Sequence, residues 1–414
     1  MVKTIPLVMV YPATAGMFWI IVALVAMQYR RAASLEERIW GVSFGNILEL
    51  ALSSVVLGLL GGALASLVIT LVGISLSESG IEYLLPLALL LYVVNPRLMC
   101  FSYAGGIISL AHLVTGYPEV SVPEIMALVA VLHVTESLLI RISGHGCASP
   151  IYTRHSSGRV VGGFSLQRFW PVPLVALFML SVADPSKLPG LIQMPDWWPL
   201  VRAPIAEPDK VVFALVPVTA ALGYSDVAVS TLPQQKTRRT ALALAAYSVL
   251  LLIASLLAVR YWVLQWVAAL LGPLGHEVVA SLGGKKELAS SPMFVPPERG
   301  VMVLSPLPGS EAQAAGIEPG DIILEANGVP VNCRDELVTA VAASGWYLEL
   351  EVRSWRGHPK RIEFRRPVTD LGVITVPEAG DSSLVEFGQR KNLGWFKSLI
   401  RGIGGWFRRA FVRR

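Results

Sequence analysis

His276-Glu277 is the pair in this 414-residue chain whose types most directly suggest chemistry. A zinc hydrolase uses HExxH because two histidines at i and i+4 face one metal while the glutamate acts as base. Here the run reads His276-Glu277-Val278-Val279-Ala280, so alanine stands where the second ligand belongs. No neighbouring Asp or His in the sequence replaces it. The pair is therefore expected to cap or orient the link between two parts of the chain.

His133 and Glu136 form a second constellation, three residues apart and on one helical face. His112 and Asp226 also fall within or beside apolar runs. Ionisable groups inside a membrane mark pathways or sites by default. Glu136, however, lies only about 7.5 Å along a helix from Arg141, within reach of an interfacial ion pair. Interhelical hydrogen bonding is the expected task of His133, Glu136 and Asp226. Cys100, Cys147 and Cys333 are far apart with no CxxC, against a disulfide framework or zinc ribbon. With no phosphate-binding glycine loop, nucleophile elbow or metal cluster in view, the expectation is a non-enzyme with no catalytic residue, metal or cofactor.

The elements that must position these residues follow from composition. The chain is 54% hydrophobic and only 15% charged, against about 25% charged in soluble domains. The excess is confined to residues 1–275, which read as a multipass membrane domain. A spanning helix needs about 20 apolar residues. The runs are Ile5 to Met27, Leu50 to Leu76, Tyr83 to Val94, Leu98 to Thr115, Ile125 to Ile140, Phe169 to Ala183, Val211 to Tyr224, and Thr240 to Leu274, interrupted by Arg260. They predict seven to nine apolar segments, with Gly58, Gly61, Gly62 and Ala63 suited to close helix packing.

Basic loops (Arg30, Arg31, Arg38; Arg141, Arg154, Arg159, Arg168; Lys236, Arg238, Arg239) alternate with acidic ones (Glu78, Glu82; Glu119, Glu124). The basic set is expected to be cytoplasmic. A single crossing by the last run would place the following residues outside; a hairpin at Arg260, expected because the basic tail suits an anionic cytoplasmic leaflet, returns them to the cytoplasmic side.

From Gly300 the texture becomes that of a soluble module. Val301 to Leu304 reads as a strand, Glu311 to Ala315 as a helix stopped by Gly316, and Ile322 to Glu325 as a strand before the tight turn Asn327-Gly328. Arg334 to Ala343 reads as a helix, and Tyr347 to Val352 and Arg361 to Phe364 as strands. Residues 300–328, GVMVLSPLPGSEAQAAGIEPGDIILEANG, resemble the core of a bacterial PDZ domain. That resemblance implies a groove that takes an extended peptide as an added strand beside a helix. It would place the receiving strand at Met293, Phe294 and Val295, flanked by Leu337 and Val341, within a domain spanning 284–368. The fold class expected is thus a polytopic α-helical membrane domain, then a small α/β PDZ-like domain (a partly open β-barrel with two helices), then an amphipathic carboxy-terminal helix.

Asn95-Pro96-Arg97, Cys100 to Gly106, Glu136 to Ile140, Gly162-Gly163-Phe164, Phe169-Trp170-Pro171, Trp197 to Leu200 and Pro273 to Glu277 are similar to the membrane region of MinJ-like proteins. That resemblance implies a bacterial membrane scaffold of the division site. It would link a DivIVA-like coiled coil to a MinD-like ATPase and be enriched at septa and poles. The alternative is a regulator or vestigial relative of a site-2-type intramembrane metalloprotease that uses its PDZ domain for substrates. A solute transporter is a third reading, disfavoured because no internal repeat is visible.

A linker at 369–389 precedes the basic tail 390–414. Trp395, Phe396, Trp406 and Phe407 share one helical face, with Lys397, Arg401 and Arg408 opposite. This is the pattern of an interfacial helix on anionic lipid. The eight basic residues after position 389, with no acid among them, make the chain basic. The charge is a tail property, and nucleic acid is not an expected partner.

Overall fold

The computed structural model describes residues 12–77, 79–95, 98–188, 191–201 and 210–382. Trp395, Phe396, Lys397, Arg401, Trp406, Phe407 and Arg408 of the tail lie outside them. The described residues begin with five helices: α1 (Pro12–Trp40), α2 (Ile47–Val72), α3 (Ile81–Val94), α4 (Phe101–Thr115) and α5 (Val122–Ser143). Three strands follow, β1 (Ala148–Arg154), β2 (Val160–Ser181) and β3 (Val211–Ala228), then helices α6 (Pro233–Ala258) and α7 (Trp262–Ala289). Among the described residues α2, α5, α6 and α7 are long and apolar enough to cross a membrane, and α3 and α4 are shorter apolar helices.

Two expected helical spans are instead strands. Residues 169–183 and 211–224 lie largely in β2 and β3, which pair antiparallel from Phe164↔Ala228 to Ser181↔Val211. β1 covers the other edge of β2 only as far as Leu166. An uncovered strand edge in a bilayer costs several kcal/mol per unsatisfied group. Here α1, α2 and the link after α2 cover it. At every second position from Phe169 to Met179 the backbone of β2 turns towards them. Phe169 N–H meets the Tyr29 hydroxyl at 3.3 Å, and Val175 N–H donates to Ser66 Oγ at 2.7 Å. Leu177 O accepts from Leu76 N–H at 2.8 Å, and Met179 N–H donates to Ser77 Oγ at 2.8 Å. Pro171 and Pro173 have no N–H to satisfy, so their ring nitrogens remove the donors a helix cannot meet.

Gly58 and Gly62 permit this approach. A Cβ at either would lie 1.9 or 1.8 Å from the carbonyl oxygen of Pro171 or Pro173. The glycine stripe on α2 therefore seats a strand, while Gly61 faces Thr135 and Leu139 of α5.

The run 240–274 does fold back. α6 and α7 are separated at Val259–Tyr261. Tyr247 Oη donates to Gly272 O at 2.8 Å, and Gly275 lies against the same ring, an antiparallel hairpin at Arg260. The end of α7 is tied to the loop after β3 by Glu287, only 4% exposed. Its Oε1 accepts from the N–H groups of Val229, Ser230 and Thr231 at 3.0, 2.8 and 3.0 Å.

The carboxy-terminal domain comprises β4 (Val301–Pro306), α8 (Glu311–Ala314), β5 (Ile322–Ala326), β6 (Val329–Pro330), α9 (Arg334–Ala342), β7 (Leu348–Arg353), β8 (Pro359–Phe364) and β9 (Val373–Thr375). The sheet order is β8-β7-β5-β4-β9, with β6 on β5. Asn327 (φ 51°) and Gly328 (φ 75°) make the tight turn, both left-handed as a two-residue hairpin turn requires. Two expected boundaries move. α7 runs through residue 284 to Ala289, and β9 lies in the stretch expected as linker.

This domain docks on the β1–β2 hairpin. Gly162 N–H donates to Phe294 O, and Met293 N–H to Val229 O, both at 2.9 Å. The Phe164 and Phe294 rings meet edge to face at 5.3 Å. Leu304, Ile374 and Val376 are buried in the same apolar cluster as Phe164 and Leu166.

Candidate functional site

The edge strand of the carboxy-terminal sheet is β9, paired with β4 through Val303↔Thr375 and Pro306↔Val373. Strand addition needs a free sheet edge beside a helix; α9 lies beside β9, but Ile374 and Thr375 are only 6% and 3% exposed, and Val373 alone of the strand is partly open. Arg334, its first residue, donates from Nε to Thr375 Oγ1 at 2.9 Å and ion-pairs with Asp381 at 2.9 Å. Val338, four residues on, shares the face of Arg334 and is 59% exposed. Burial raises the pKa of Asp381, but the Glu378 N–H and the Arg334 guanidinium outweigh it and hold the carboxyl below its usual range.

The expected groove residues fall elsewhere. Met293, Phe294 and Val295 form no strand. Phe294 is fully buried, and the backbone of this segment is spent on the junction with β2 and β3. Leu337 and Val341, both 2% exposed, belong to the domain core. The sheet instead ends on β9 at 373–375, after the module's last long strand, where a short Val-Ile-Thr run gives little sequence signal. Its far end is already engaged, because Tyr152 Oη of β1 donates to Thr375 O at 2.7 Å.

The polar residues of the membrane domain separate into structural and convergent groups. Asp226 lies in β3 and pairs with Lys236 of α6 at 3.0 Å, with side chains 15% and 4% exposed. Arg168, read as a loop charge, is buried in β2, where its Nη1 meets Cys147 Sγ at 2.9 Å. Glu136 forms no ion pair with Arg141 among the described residues.

His276 is not at a link. It lies within α7, and the structure brings it the companions its sequence neighbours lack. Gly105 packs on Ile125 and Met126 of α5, Gly106 on Pro273 of α7, and Gly272 on Met126 and Ser102. These contacts draw α4, α5 and α7 together. At their convergence the ligand atoms of Cys100, His133 and His276 all lie within 4.8 Å of one another. Cys100 Sγ is 3.1 Å from His133 Nε2. His133 Nδ1 is 2.7 Å from the Val129 carbonyl, which assigns its proton to Nδ1 and leaves Nε2 as an acceptor. The ring of His276 meets those of His133 and Tyr103 edge to face, each at 5.2 Å. Glu277 accepts from Tyr103 Oη at 2.6 Å. These side chains are the ones that could hold a metal.

Comparison with known proteins bears on both regions. Residues 302–345 match the PDZ domain family. The chain is 22% identical over 269 residues to the cell division topological determinant MinJ of Bacillus subtilis (strain 168), a match covering 64% of each chain. It is 38% identical over 66 residues to the putative protease Do-like 14 of Arabidopsis thaliana, covering 16% of this chain and 14% of that protein. The chain thus spans less than two thirds of the length of these curated relatives. Its long apolar helices, its PDZ match and its likeness to a division determinant together support a MinJ-like membrane protein with a PDZ domain in its carboxy-terminal region.

Proposed function

We propose that this protein is a non-enzymatic membrane scaffold of bacterial cell division that collects partners through its PDZ domain. The observation that carries the reading is the face shared by Arg334 and Val338. Arg334 reaches the edge strand, and the exposed Val338 beside it leaves an apolar wall for an incoming peptide. Of β9 only Val373 is partly exposed, so the peptide contacts we propose run along Val373 and the Val338 wall. DivIVA-like and MinD-like proteins are the partners we propose, by analogy with the MinJ likeness. The PDZ domain lies on the cytoplasmic side in this reading. The hairpin at Arg260 supports that side, as do Arg30, Arg31, Arg238 and Arg239 and the basic tail, which suits an anionic leaflet.

The test is a carboxy-terminal fusion to a fluorophore that matures only in the cytoplasm, imaged in growing cells. Bright septa and poles are expected, with Val338→Glu dispersing the signal at equal protein level. Uniform signal would overturn the division role, and a dark fusion would overturn the topology.

A relative of an intramembrane metalloprotease is the second reading. It is favoured by the presence of Glu277 next to His276 at the Cys100–His133 cluster. Glu277→Gln should leave cellular proteolysis unchanged under the scaffold reading, and loss of a cleavage product would favour the protease.

A further inference from the structure

We propose that Cys100, His133 and His276 bind a single zinc ion at the meeting of α4, α5 and α7. One thiolate and two imidazoles are a borderline-soft donor set, suited to zinc over magnesium or calcium. In a tetrahedral site, metal–ligand distances of about 2.0–2.3 Å place donors roughly 3.5 Å apart. The three ligand atoms already lie within 4.8 Å, so side-chain rotations without helix movement close the site.

Two features point to a ligand beyond proximity. The His133 Nδ1–Val129 carbonyl bond at 2.7 Å is the outer contact by which metal-bound imidazoles are oriented. His276 Nδ1 is buried and has no hydrogen-bond partner, and an orphaned buried nitrogen is costly unless something occupies it. α5 and α7 supply one imidazole each and the residue capping the start of α4 supplies the thiolate, so the ion would act as a clasp across the bundle. The fourth tetrahedral position stays open to water. This inference does not depend on the scaffold reading.

The test uses the full chain in detergent, stripped with chelator and reloaded with zinc or cobalt(II). Elemental analysis should give about one zinc per chain. Cobalt should produce a thiolate charge-transfer band and the intense visible bands of a tetrahedral ion. Cys100→Ser should abolish the charge-transfer band. His276→Gln should weaken zinc binding by at least the 10–100-fold typical of outer-contact losses. Cys333→Ser, in the PDZ domain, should change neither. Folded wild-type protein with no thiolate band, or a band surviving Cys100→Ser, overturns the proposal. The wild-type spectrum decides by itself if a ligand variant fails to fold.

Discussion

The hydroxyl of Ser66 accepts the backbone N–H of Val175 at 2.7 Å while donating to the carbonyl of Gly62 at 2.6 Å. One side chain on α2 thereby satisfies the edge of β2 that no strand covers beyond Leu166. Ser66→Ala leaves that N–H buried without a partner, at a cost of about 1–3 kcal/mol. Gly62→Val is expected to be worse, because its Cβ would overlap the Pro173 carbonyl. Thermal unfolding in detergent should rank wild type above Ser66→Ala and Ser66→Ala above Gly62→Val. Equal midpoints would refute the seating of β2 on α2.

Glu287 holds three consecutive N–H groups with one oxygen. Hydrogen bonds to a charged group are worth about 1.5–3 kcal/mol each. Glu287→Ala should therefore lower stability by at least about 3 kcal/mol, and Glu287→Gln by less, since its amide oxygen still accepts. Denaturant unfolding of the three proteins checks the order.

The Arg334–Asp381 pair makes the seating of β9 on α9 sensitive to acid. Asp381 is held below its ordinary range in the folded protein, so its contribution is complete above the unfolded value of about 3.9 and lost as pH falls through the folded one. The protection factors of residues 373–381, corrected for intrinsic exchange at each pH, should fall below about pH 4 in the wild type. In Asp381→Asn protection should be low already at neutral pH and show little further change.

Trp395, Phe396 and Trp406 are expected to enter the lipid headgroup boundary. A 390–414 peptide should float with anionic vesicles and far less with neutral ones. The triple serine variant should lose most of that binding, and undiminished flotation would remove the tail from the membrane.

Much of the carboxy-terminal domain could be read directly, because its signals are local. Asn327-Gly328 demands a left-handed turn, Gly316 stops a helix, and alternating apolar positions draw the strands. Arg260 marked a place where the last apolar run could break, but a single crossing fitted the same residues, and the pairing of Tyr247 with Gly272 is what settles the fold-back.

The strands in the membrane domain could not be read directly. A run such as Phe169 to Ala183 is greasy whether helical or extended, and hydropathy does not separate the two. The one local signal was Pro171-Val172-Pro173, whose two-residue spacing fits the edge of a strand and not a helix interior.

The edge strand at Val373–Thr375 and the Cys100–His133–His276 cluster belong to tertiary structure alone. Composition and motif order settled that the chain is a membrane protein carrying a PDZ module, because those are properties of consecutive residues. The cluster joins positions 33 residues apart and further, through Gly105, Gly106 and Gly272. Only the close approach of three helices, permitted where no side chain stands between them, makes ligands of residues that are strangers in the sequence.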